Sequence, residues 1–331
     1  MTTPMKTLYD RLNEVGINKS WVKSTVLPIW WDDSIADNPT GYTEILMLLA
    51  EQLNISLPTL LDPTAPLQCK PLAPLRNKTR KGVEDDKLLW ARCICTSAAK
   101  IAITATLASP KVMPSSAIQI RETVMQNRPC VDLEGLLEYC WDRGIPVIHA
   151  SHLPIGVKKP DGMVINACGR NAVILTKKDH TAAFQLFVLA HELGHIACDH
   201  LEEGDFRMDS DDWQSKKDDE ECQANNFAMK LLSGGIEPLF NKDTSFTIDQ
   251  LVDAVASISN RRGIDPGYLV NHYAWVTGNW KQKSNVLKHI QPNEDGIELI
   301  NTAMLAGINA EQLSSDNADF LMRICGINVE N

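Results

Sequence analysis

The chain has little that would take it into a membrane or an oxidising compartment. Its N-terminus, MTTPMKTLYDRLNEVG, lacks the apolar stretch of a signal peptide, and the apolar runs around Ala98–Ala108 and Phe184–Ala190 are short or broken by Lys100 and Gln185. These absences predict a cytoplasmic protein with no membrane partner. Paired CxxC spacing is also missing. The nine cysteines, an odd number, are scattered at 69, 93, 95, 130, 140, 168, 198, 222 and 325, so the thiols are expected to be reduced. A basic surplus is absent as well. A net charge of −10 argues against direct DNA binding, because phosphate recognition needs positive charge somewhere. No internal repeat of constant period is present.

What remains is ordinary for a globular chain: 331 residues, 44% hydrophobic and 22% charged, enough for two or three domains. Residues 1–61 read as a helical N-terminal unit, with apolar periodicity around Leu8, Leu12 and Val15, around Trp21 and Val22, and from Tyr42 to Leu53, closed by Leu57–Leu61. The layout and its ending, LAEQLNISLPTLL, resemble a degenerate Xre-type helix-turn-helix core. Four basic residues against seven acidic ones make a poor DNA-reading surface, so a protein-contact or packing module is the expectation. Residues 62–86 hold Pro63, Pro66, Pro71 and Pro74 and then the basic run Arg76, Lys78, Arg80 and Lys81, which reads as a linker. Residues 87–240 read as the functional domain and 241–331 as a helical C-terminal region.

Within the central domain, helices are expected from Lys87 to about Leu107 and from Asp132 to Arg143, stopped by Gly144. Ile145–His149 reads as a strand, and Gly162–Asn166 and Ala172–Thr176 as a hairpin. Next comes a helix from a Thr181 N-cap to about Cys198, on which Phe184, Val188, His191 and His195 share one face. Further helices are expected to begin near Thr247, Asp265, Lys281, Glu294 and Glu311.

His191-Glu192-Leu193-Gly194-His195 spells HELGH on that helix. Residues four apart stand on one helical face, so His191 and His195 can converge on a Zn²⁺ ion while Glu192 serves as general base. A catalytic zinc needs a third protein ligand. The metzincin arrangement fails, because Cys198 and Leu201 stand where glycine and histidine would be required, with His200 one place out of register. A glutamate from a second helix is the other solution. In EECQANNFAMKLL, Glu221, Ala224, Asn225, Ala228 and Leu232 share a face; the alanines permit close helix approach, Glu221 can enter the metal sphere, and Asn225 can accept a hydrogen bond from a ligand imidazole. Glu220 is the rival ligand, about 100° off that face by helical periodicity.

HELGH followed by E-x-x-A-N-x-F-A, here Glu221 to Ala228, resembles the ImmA/IrrE family of metallopeptidases, and GIPVIH and the hairpin before it also fit. Many members have a glutamate before the alanine, where this chain has Gln223. The resemblance implies an α+β fold: a zincin-like metallopeptidase core with a small sheet, flanked by helical N-terminal and C-terminal regions. It implies Zn²⁺ bound by His191, His195 and Glu221, with Glu192 as base. It further implies a substrate peptide lying along an edge strand, for which the hairpin Gly162–Thr176 is the candidate. The implied substrate is an Xre-type helix-turn-helix repressor, whose cleavage would release mobile-element or stress genes. The opposing reading is a non-catalytic sensor, or a toxin–antitoxin regulator, that inactivates a repressor by contact.

Other residues carry weaker signals. Arg170, His272 and Tyr273 are chemically suited to stabilise an oxyanion. From Asp199 to Glu221 eleven acidic residues face three basic ones, either as a solvated face or as an attractor for a basic partner. Asp209, Asp211 and Glu220 fall at calcium-loop positions, but Trp213 and Gln214 break that pattern. Cys168, Cys198 and Cys222 lie near the motifs and read either as small hydrophobes or as thiols able to block a metal. His200 is expected near the C-terminal end of the HELGH helix, where a cationic side chain suits the helix dipole.

Overall fold

A computed structural model describes residues 3–70, 86–201, 206–208, 219–235, 239–292 and 294–328. Helices dominate it. The N-terminal part contains α1 (Pro4–Glu14), α2 (Lys19–Trp21), α3 (Pro39–Gln52) and α4 (Leu57–Leu61). The middle contains α5 (Asp86–Ala105), α6 (Ala117–Val124), α7 (Leu133–Asp142), α8 (Ala182–Ala197) and α9 (Asp219–Ser233). The chain finishes with α10 (Ile248–Arg262), α11 (Pro266–Thr277), α12 (Trp280–Ile290), α13 (Gly296–Gly307) and α14 (Ser315–Ile324). Four strands, β1 (Val147–His149), β2 (Gly162–Ala167), β3 (Arg170–Leu175) and β4 (Phe206–Met208), form one mixed sheet in the order β1-β3-β2-β4. The class is α+β.

Asp132 accepts from the Gly135 amide at 2.8 Å and caps α7. Thr181 holds the N-cap position of α8 in extended backbone, but its hydroxyl donates to Asp179 Oδ1 at 2.6 Å and makes no cap hydrogen bond to the helix. The β2–β3 hairpin turns tightly through Cys168 and Gly169, both at positive φ (54° and 69°), and pairs Gly162 with Leu175 through Ala167 with Arg170. β1 runs parallel to β3, with Val147 opposite Val173.

Period-two alternation makes the sheet a wall between two cores. Ile148, Met163, Ile165, Ala172 and Ile174 point to one side, where α5, the N-terminal helices and α14 bury them. Val147, Val164, Val173 and Leu175 point to the other, against α8 and its neighbours. The N-terminal helices therefore share a core with the sheet. Trp21 Nε1 donates to the His152 carbonyl, and Arg323 of α14 donates to the Leu27 carbonyl at 2.8 Å.

Three expectations change here. The hairpin is not the sheet edge: β3 lies between β1 and β2, and β4 pairs antiparallel with Met163–Ile165 of β2, so among the described residues the edges are β1 and β4. Three-residue β4, flanked by a polar acidic stretch, is too short for its apolar pattern to be recognised. The cysteines are not all thiols: Cys69 and Cys93 are bonded, Cα–Cα 6.0 Å, fastening the segment after α4 to α5, while the other seven are free. That segment is held further by the Lys70 amide donating to the Asn54 carbonyl at 2.7 Å and by an Ile55–Cys69 bridge. Finally, Leu88–Ala105 of α5 is long and apolar enough to cross a membrane, but 72% of that window is buried within the fold, as befits a core helix. The basic run from Arg76 to Lys81, most of the acidic stretch and the calcium-like positions Asp209 and Asp211 lie outside the described residues.

Candidate metal centre

α8 and α9 cross at their smallest residues. A Cβ on Gly194 would lie 2.8 Å from Ala224 Cα and 2.9 Å from its carbonyl oxygen, so the glycine of HELGH and the alanine of the second motif let two backbones touch. Bulkier residues at either place would hold the helices apart and leave a carboxylate from α9 short of the histidines. The crossing is what makes the site.

At that crossing His191 and His195, both buried, turn their Nε2 atoms toward one spot, 3.1 Å apart. Glu221, at the start of α9, brings Oε2 to 3.3 Å from His191 Nε2 and Oε1 to 3.7 Å from His195 Nε2. One ligand atom from each of the three lies within 4.8 Å of the others, and among the described residues this is the group able to hold a metal ion. Glu220 does not join it, nor do Cys168, Cys198 and Cys222. Two imidazoles and a carboxylate from facing helices are the donor set of a catalytic zinc site. Burial opposes ionisation of Glu221, but hydrogen bonds to His191 and His195, and their charge, outweigh it and hold the carboxyl well below the usual carboxylate range. The set therefore presents a negative ligand in a confined space.

Supporting contacts orient the donors. Asn225, one turn beyond Glu221, places Oδ1 3.0 Å from His191 Nδ1. Since Nε2 must keep a lone pair to bind an ion, Nδ1–H is the donor and the amide oxygen accepts. Glu192 is buried, and its carboxylate lies against the first residue of β2: a Cβ on Gly162 would come 2.3 Å from Glu192 Oε1. Gly162 is thus a site residue that sequence reading missed, because nothing in a glycine before an apolar run announces which side chain it makes room for. Arg121 of α6 was missed for a similar reason. It is buried and donates to the Leu231 and Leu232 carbonyls at 3.2 and 2.8 Å, pinning the far end of α9.

The three oxyanion candidates separate. Arg170 donates to the Ala108 and Gly144 carbonyls at 2.8 and 3.1 Å, so it ties loops together beside the hairpin. Tyr273 is buried in the aromatic core, where its hydroxyl accepts from the Phe246 amide at 3.3 Å. His272 is buried among the rings of Phe240, Tyr268 and Trp275, on a helix packed against α8. Arg170 and Tyr273 are occupied structurally. His200 stands just past the C-terminal end of α8, as expected, and its Nδ1 lies 2.9 Å from His195 Nδ1.

Residues 142–233, from the end of α7 through the sheet to the end of α9, match the family model of the IrrE N-terminal-like domain, a peptidase family. No curated protein matches the chain.

Proposed function

From the match of residues 142–233 to the IrrE N-terminal-like peptidase domain, we propose that this chain is a zinc-dependent endopeptidase in which His191, His195 and Glu221 hold the ion and Glu192 is the general base. The observation that carries the reading is the convergence of the three donor atoms within 4.8 Å, with the buried Glu192 on the same helix as the two histidines. A zinc ion in that sphere would supply Lewis acidity, polarising a peptide carbonyl and easing deprotonation of water. Glu192 takes the proton of the attacking water on a carboxylate oxygen and passes it to the leaving amine. Gly162 leaves room for that carboxylate, and Asn225 keeps His191 in the tautomer that presents Nε2. The ionised Glu221 contributes negative charge that draws a cation into the sphere.

The substrate in this proposal is an Xre-type helix-turn-helix repressor. The resemblance of the two motifs to the ImmA/IrrE family suggests it, and the acid-rich stretch from Asp199 to Glu221 would attract the basic surface of a DNA-binding protein. The test compares wild type with Glu192→Gln, both checked for bound zinc, on a purified Xre-type helix-turn-helix repressor. Wild type should cleave it, and the variant should keep zinc and cleave roughly 10²–10⁴-fold more slowly. Equal inactivation of the repressor by both proteins, without cleavage, would replace the enzyme by a sensor or antitoxin-like regulator acting through contact.

A further inference from the structure

The two histidines at the centre are not braced alike. His191 meets an amide oxygen, whereas His195 turns Nδ1 to a second imidazole, His200 Nδ1, at 2.9 Å, with ring centroids 5.1 Å apart. His200 Nε2 in turn lies 3.3 Å from Gln223 Oε1 on α9. The end of α8 explains how His200 arrives there. The His200 amide donates to the His195 carbonyl at 3.1 Å and the Asp199 amide to the Ile196 carbonyl at 3.2 Å, with Asp199 at φ 58°. This paired closure, with a left-handed residue after the helix, folds the chain back over its last turn and lays His200 on His195.

Valence then orders the protons along the row. To bind an ion at the point it shares with His191 Nε2 and Glu221, His195 Nε2 must offer a lone pair there, which leaves its proton on Nδ1. That N–H needs an acceptor, so His200 Nδ1 is unprotonated and the His200 proton sits on Nε2. Gln223 Oε1 accepts it. Each link leaves its neighbour one role.

We propose that His200, seated by Gln223, is a positioning residue that holds His195 in the tautomer and ring plane needed to bind a metal ion. The inference rests on the metal-binding part of the proposed function and not on hydrolysis. It makes α9 the brace for both histidines, through Asn225 directly and through Gln223 and His200 in series. It also gives the residue before the alanine of the second motif, glutamine in this chain, a task at the site.

The experiment is zinc affinity by chelator competition, together with the visible absorption of the Co²⁺-substituted protein, on wild type, His200→Ala, His200→Asn and Gln223→Ala. His200→Ala should bind zinc roughly 10–100-fold more weakly and shift the cobalt bands, the usual cost of losing a partner of a metal-bound histidine. His200→Asn should recover part of the loss, since its amide oxygen can accept from His195. Gln223→Ala, altered on the exposed side of α9, should lose less in the same direction and guards against misfolding of the His200 variants. Wild-type affinity and spectrum in both His200→Ala and Gln223→Ala would overturn the positioning role. Wild type that binds zinc but cleaves nothing would overturn the peptidase and leave this inference standing, whereas wild type that binds no zinc would overturn both.

Discussion

The two sides of the sheet follow one alternation rule and come to opposite ends. On the side of α5, the N-terminal helices and α14, large apolar side chains such as Leu8, Leu12, Leu46, Leu49, Ile94 and Phe320 fill the space. Burial there pushes the Cys95 and Cys325 thiols up to about 12, so they remain protonated and behave as small hydrophobes. On the side of α8 and α9 the apolar layer is just as complete, yet it opens at Gly162, Gly194 and Ala224, where backbones approach and His191, Glu192, His195 and Glu221 fit between them. The lesson is that bulk stabilises one face, while the lack of bulk at three positions admits polar groups into the other.

The comparison can be broken most severely from the apolar side. Ile94→Ala removes a fully buried side chain from α5, and should cost about 2–5 kcal/mol of stability in denaturant unfolding while leaving zinc affinity of the folded protein at the wild-type value. A parallel loss of zinc affinity would show that the two sides are one mechanical unit. Gly194→Ala attacks the other side. Its Cβ would meet Ala224 backbone at 2.8 Å, so α9 must shift, at a cost of roughly 1–3 kcal/mol. Because Glu221, Gln223 and Asn225 travel with α9, chelator competition should show weaker zinc binding out of proportion to the stability lost. Unchanged zinc affinity would refute the role given to the crossing.

The smallest effect sharpens the comparison by testing a buried polar group away from the centre. Asp265 caps α11, accepting from the Tyr268 amide at 2.7 Å, and burial, with added repulsion from Glu294 and Asp132, pushes its carboxyl up to about 7. In the unfolded chain it titrates near 3.8. Between those values the folded protein holds a proton that the unfolded chain has lost. Asp265 therefore favours folding fully below about 4, and that advantage disappears as pH rises through about 7. Asp265→Asn keeps the cap and removes the titration. Thermal melting of wild type relative to the variant should fall from pH 5 to pH 8; profiles that stay parallel would contradict this account.

Local chemistry made much of the central domain legible. Asp132 before α7, Thr181 before α8 and the apolar spacing inside both helices are signals read within a few residues, and the observed helices begin and end within about two residues of them. The hairpin was readable from alternation, although its five-residue connection tightens to Cys168-Gly169. α6 was missed because eight residues with Arg121 turned inward give a weak apolar stripe. The Cys69–Cys93 pair was missed because bonding depends on where α5 lies, not on spacing.

For the centre itself, the amino-acid order alone puts His191 and His195 on one face of one helix and Glu221, Ala224 and Asn225 on one face of another, since helical periodicity is set by local hydrogen bonds. It could not decide that those faces meet, which carboxylate reaches the imidazoles, or that His200 folds onto His195. Tertiary packing decides these through contacts tens of residues apart: Gly194 against Ala224, Gly162 against Glu192, and Gln223 against His200. The first kind of information is carried by each segment for itself. The second exists only when two segments exclude water from the same few ångströms.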